Sequence, residues 1–78
     1  MTEERIEVTA YAGYRGEEAP REMVLDGQRV AVIKILEQWT EEDGATRTRR
    51  RCFRVKGSDF KTHALRYDEE EMAWFYLS

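Results

Sequence analysis

Apolar and polar residues alternate along the first patterned stretch of the chain, with Ile6, Val8 and Ala10 on one side and Glu7, Thr9 and Tyr11 on the other. A period of two marks a strand with one face buried. Two further stretches, REMVL and QRVAVIKILEQW, flank Asp26-Gly27, and Asp43-Gly44 separates the second of them from RTRRRCFRVKG. Asp-Gly suits a two-residue hairpin because both central positions need positive φ. Two hairpins in series are therefore expected. KGSD at Lys56 to Asp59 and DEEE at Asp68 to Glu71 break the pattern again and leave FKTHALRY and MAWFYL as two more strands.

Strands at roughly ten-residue spacing with polar breaks predict a meander. The expected fold class is all-β: an antiparallel meander of five or six strands curled into an SH3-like barrel, with residues 1–78 forming a single domain. Curling buries one face and hides the sheet edges together. The expected core is Ile6, Val8, Met23, Val30, Val32, Ile35, Phe53, Val55, Leu65 and Trp74.

Two segments also carry a helical signal. Val32, Ile35, Leu36 and Trp39 stand at helical spacing, and in DEEEM Asp68 is placed to cap a terminal helix, with Glu71 three residues on. Strand is preferred for the first because Val30, Val32, Ile33 and Ile35 are β-branched, and for the second because Trp74, Phe75 and Tyr76 are consecutive aromatics.

A two-residue turn at Asp43-Gly44 sets a register, with Glu37 opposite Arg50, Ile35 opposite Cys52 and Val32 opposite Val55. It also sets Lys34 opposite Phe53, a mismatch of face. Either a bulge near Ile33-Lys34 shifts the phase, or the turn is longer than two residues.

Composition narrows the class. Of the 78 residues, 41% are hydrophobic and 37% charged, enough apolar side chain for one compact core and too little for two. The net charge of −3 argues against a general polyanion binder, though local clusters still act. A single cysteine, Cys52, leaves no internal disulfide, and without a leader-like start a cytoplasmic location is expected. The central apolar run, Val30 to Ile33, stops at Lys34, so no membrane association is expected.

The chemistry-bearing residues are few. Cys52 and His63 on neighbouring strands would offer a dyad, but a lone thiol between arginines more often packs or idles. No catalytic residue is assigned and no enzyme activity expected. One histidine and one cysteine make no zinc spacing. Glu69 to Glu71 and Glu41 to Asp43 read as solvated acidic turns, and Gly13 and Gly16 lack the partners of a phosphate loop. No metal or cofactor is expected.

The strongest signal is RTRRRCFRVK, with Arg47, Arg49, Arg50, Arg51, Arg54 and Lys56 in one segment. On a strand, Arg50, Arg54 and Lys56 leave one side while Phe53 and Val55 leave the other. Such a stripe suits phosphates of a nucleic acid or an acidic protein surface. Its structural counterpart is pairing with Glu37, Glu41, Glu42 and Asp43 across the hairpin. The segment YAGYRGEEAP, from Tyr11 to Pro20, joins two strands by a long loop that brings Tyr14 and Arg15 to solvent, both favoured contact residues. The candidate ligand-binding set is thus Tyr14, Arg15, Arg50, Arg54 and Lys56.

At the other end, Met72, Trp74 and Tyr76 share one face and Ala73, Phe75 and Leu77 the other, both apolar. Either the N-terminal strand and loops cover this wall, or a partner does, including a second copy. The function expected is a non-enzymatic binding module whose leading ligand is nucleic acid, bound through the arginine strand and the Tyr14-Arg15 loop, with an acidic protein surface as the lesser ligand. Its alternative is a protein-interaction or self-associating module using the aromatic last strand, as a monomer or weak homodimer.

Pro20 with Met23, Val32 with Ile35 and Trp39, Arg54-Val55, Tyr67-Asp68, and Trp74 with Leu77 form a skeleton spanning residues 18–77. It resembles a group of small bacterial proteins of unknown function. Their pattern is a Gly-x-Pro-x-x-Phe-like second strand, a Val-x-x-Ile-x-x-x-Trp third, an Arg-rich fourth and a Tyr-Asp turn before a Trp-x-x-Leu end. Met23 stands where that group has an aromatic residue. The resemblance implies a small all-β domain and brings no activity or catalytic residues.

Overall fold

The structure is a computed structural model that describes residues 3–12, 18–42, 44–45 and 49–77. Seven strands make one antiparallel sheet: β1 (Glu3–Ile6), β2 (Val8–Ala12), β3 (Glu18–Leu25), β4 (Gln28–Glu42), β5 (Arg49–Gly57), β6 (Thr62–Asp68) and β7 (Ala73–Leu77). Their order across the sheet is β1-β7-β6-β5-β4-β3-β2. The described residues contain no helix.

The opening alternation belongs to two strands, which accounts for seven where five or six were expected. Ile6 pairs with Trp74 of β7, whereas Val8, just past Glu7, pairs with Met23 of β3. One continuous segment thereby serves both ends of the sheet, and the Val24 N–H donates to the Glu7 carbonyl at 3.0 Å between them. The sheet is curled by this arrangement, with its apolar residues on the concave side.

Asp26-Gly27 forms the expected tight turn. Leu25 pairs with Gln28, and φ is 50° at Asp26 and 78° at Gly27, as a type I′ hairpin requires. Asp43-Gly44 does not, because Glu42 pairs with Arg49, so the reversal spans residues 43–48. Within that reversal Asp43 and residues 46–48 lie outside the described residues. The longer turn moves the register: Glu37 faces Arg54, Ile35 faces Val55 and Val32 faces Gly57.

Both remedies for the face mismatch are present, since the pairing also shifts between Val32 and Lys34 and again between Ile35 and Glu37. Each shift inserts one extra residue, Ile33 and then Leu36. Lys34 consequently faces Lys56 instead of Phe53. An extra residue after each inward position converts a period of two into steps of three, which is why Val32 and Ile35 stand at helical spacing.

The turn before β7 resolves the second helical signal. Asp68 Oδ1 accepts the N–H groups of Glu70 at 2.9 Å and Glu71 at 3.1 Å. This is the capping bond the sequence offers, but it closes a turn that leads into β7 instead of a helix.

All ten expected core residues lie on the concave side. Met23, Val30, Phe53, Val55, Leu65 and Trp74 are buried, and Ile6, Val8, Val32 and Ile35 pack partly buried against them. Trp74 holds the aromatic centre, 5.5 Å from the Phe53 ring and 5.0 Å from that of Tyr67. Tyr76 shares this side, and β1 covers the outer edge of β7.

Candidate functional site

The convex face carries the arginine strand. Because Phe53 and Val55 point into the core, Arg50, Cys52, Arg54 and Lys56 leave β5 on the opposite side, as the alternation predicts. Their cross-strand neighbours decide what they can bind. Arg54 lies between Glu37 and Ala64 and donates through Nη1 to Glu37 Oε1 at 2.8 Å. Arg50 lies between Glu41 and Asp68, with its Nε 3.7 Å from Asp68 Oδ2. That distance makes an ion pair without a hydrogen bond.

Lys56 differs from both. It stands between Thr62 and Lys34, exposed, and among the described residues neither lysine meets a carboxylate. Two like charges directly opposite each other repel. The sequence set therefore divides: Arg50 and Arg54 are engaged within the chain, Lys56 is not, and Tyr14 and Arg15 lie outside the described residues.

Further round the convex face, Arg66 grips Glu3 with both terminal nitrogens, Nη1 to Oε1 and Nη2 to Oε2, the latter at 2.6 Å. Its guanidinium carbon lies 5.3 Å from the centre of the Phe75 ring. The last strand thus turns Trp74 inward and places Phe75 under a cation.

Cys52 and His63 are not brought together. Cys52 faces Arg66 on the convex side, whereas His63 faces Val55 on the concave side. Burial, and after it the Glu41 carboxylate and the hydrogen bond to it, push the Cys52 thiol up to about 11. It is a neutral packed thiol. Ser58 accepts the Ala31 N–H on its Oγ at 3.0 Å and so fastens a turn.

His63 anchors a second polar array. It is buried; its Nδ1 lies 2.8 Å from the Tyr76 hydroxyl and its Nε2 lies 2.9 Å from Asp59 Oδ2. Burial raises the Asp59 carboxyl, but the hydrogen bonds from His63 and from the Lys61 N–H outweigh it and hold the group below its ordinary value. Gly57 makes room for this array, since a Cβ there would stand 2.6 Å from Asp59 Oδ1 and 2.7 Å from Val30 Cγ1. Among the described residues no three His, Cys, Asp or Glu side chains are grouped to hold a metal ion.

The feature that pattern reading missed is the parting of β3 and β4. Their pairing ends at Glu22 with Ala31, although β3 runs back to Glu18 and β4 on to Glu42. Pro20, with no N–H to donate, and the extra residue Ile33 lie at the parting. Between residues 19–21 and 32–35 the sheet opens into a notch of about 520 Å³. Ile33 is 60% exposed, Leu36 42% and Trp39 37%.

No family model, curated protein or solved structure matches this chain. No helix of the described residues is long and apolar enough to cross a membrane. The class defined on these observations is a small antiparallel β domain with a curled seven-stranded sheet.

Proposed function

We propose that this chain is a non-enzymatic module that binds an acidic surface of a partner protein, through the end of the sheet where Lys34 and Lys56 stand opposed. The observation that carries the reading is the contrast on β5, where Arg54 is bonded to Glu37 and Arg50 lies against Asp68 while Lys56, between Lys34 and Thr62, meets no carboxylate among the described residues. An acidic partner relieves a repulsion that the fold leaves in place. A nucleic acid would instead have to draw Arg50 and Arg54 away from their carboxylates.

NMR titration with a capped oligoglutamate peptide tests this. Amide shifts should centre on residues around Lys34 and Lys56, weaken with salt, and be lost in the Lys34→Glu, Lys56→Glu double variant. A single-stranded oligonucleotide that shifts the Arg50 and Arg54 amides instead, with a steep salt slope, would favour the nucleic-acid reading. Self-association through the last strand would appear as concentration-dependent mass removed by Phe75→Ser.

A further inference from the structure

We infer that the free flank of β4 over residues 32–36 takes up an added strand, an extended acidic and apolar segment of the partner protein. This rests on the reading above and names the form its ligand takes. The first ground is the backbone. Past Ala31, β4 pairs with β5 on one side, and among the described residues no strand pairs with the other. A strand in that state presents a row of N–H and C=O groups that only another extended segment satisfies in full.

The second ground is what the flank displays. Edge strands are commonly protected by charge, proline and bulges, and Lys34, Pro20 and two bulges are present here. Protection alone, however, does not explain the apolar content. Five large hydrophobic side chains are exposed among the described residues, and three of them, Ile33, Leu36 and Trp39, fall in one stretch of this strand. The two extra residues in β4 are Ile33 and Leu36 themselves. The bulges thus leave both extra residues exposed, Ile33 in the notch wall and Leu36 just beyond it.

The third ground is charge, which selects the occupant. Lys34 lies in the notch wall, with Lys56 one strand further on across β4, so an acidic residue of the added strand faces Lys34 and lies in the field of both cations while its apolar neighbours meet Ile33 and Val32. A second copy of this chain is a poorer fit. Antiparallel self-pairing of residues 32–36 about their centre would set Lys34 of one copy against Lys34 of the other, like against like.

Amide exchange and titration with a capped peptide of about six residues alternating Val and Glu test the inference. In the free chain, alternate amides of residues 32–36 should exchange freely. With peptide they should slow about tenfold, the chemical shifts centring on the same residues. A proline at the middle of the peptide should abolish this, and Lys34→Glu, an exposed change that leaves the core alone, should weaken binding about tenfold. Protection in the free chain of those alternate amides of 32–36 that point away from β5 would overturn the inference. So would protection accompanied by concentration-dependent mass, which would make the occupant a second copy. Peptide shifts confined to other residues around Lys56 would sink the added strand but leave the acidic-partner reading standing. Silence toward both this peptide and oligoglutamate would remove both.

Discussion

β6 and β4 sit two places apart in one sheet and obey different rules. β6 has β5 on one side along its length and β7 on the other from Ala64 to Asp68; its Leu65 and Tyr67 point inward and its Arg66 is matched by Glu3. β4 has 15 residues but pairs with β3 only from Gln28 to Ala31. Beyond that point it carries two bulges, three exposed apolar side chains and an unmatched lysine. Consistent alternation accompanies a neighbour on each side. Where no described strand pairs with the second flank, the alternation breaks and apolar side chains stand exposed.

That contrast breaks first under truncation. Leu65 is fully buried on β6, and Leu65→Ala should cost about 3 kcal/mol in urea denaturation, the usual scale for a core cavity. Ile33→Ser and Leu36→Ser on the β4 flank should change stability by less than about 0.5 kcal/mol. Equal losses at the two sites would mean that the flank is packed and not displayed. Next in size, Gly57→Ala should cost about 2 kcal/mol by forcing the turn off Val30 and Asp59, read as a lowered melting temperature. Smaller still, Arg54→Ala should cost no more than about 1 kcal/mol, because its pair with Glu37 is half exposed. A double-mutant cycle with Glu37→Gln measures the coupling.

The pH response sharpens the comparison at the His63 end. The folded state holds the Asp59 carboxyl below its unfolded value. Its contribution to stability is therefore complete above the ordinary carboxylate range and is lost as pH falls through the depressed folded value. Asp59→Asn should remove that part of the acid dependence in denaturation curves taken below about pH 5.

How much of this the residues announce depends on how local the cause is. The Asp26-Gly27 hairpin is readable because two adjacent residues set their own φ. The core is readable because burial on one face imposes alternation, and all ten expected members take part in it. The β4–β5 register is not, because it depends on two extra residues and a long reversal that no local signal at Asp43-Gly44 reveals. The pairing of Arg54 with Glu37 was legible as a class of contact, Arg against Glu across the hairpin, but with the wrong partners. The notch was not legible at all, since it exists only where β3 and β4 separate in space. Pro20 within a strand was its one available hint.

Glu3 and Leu77 are cross-strand partners, with almost the whole described chain between them. A segment shared by both ends of the sheet cannot complete its pairing until β7 has been made. During synthesis, the side of Ile6 meant for Trp74 must wait while every other strand emerges from the ribosome. Assembly of this small domain is therefore timed by its last strand, however quickly its hairpins form.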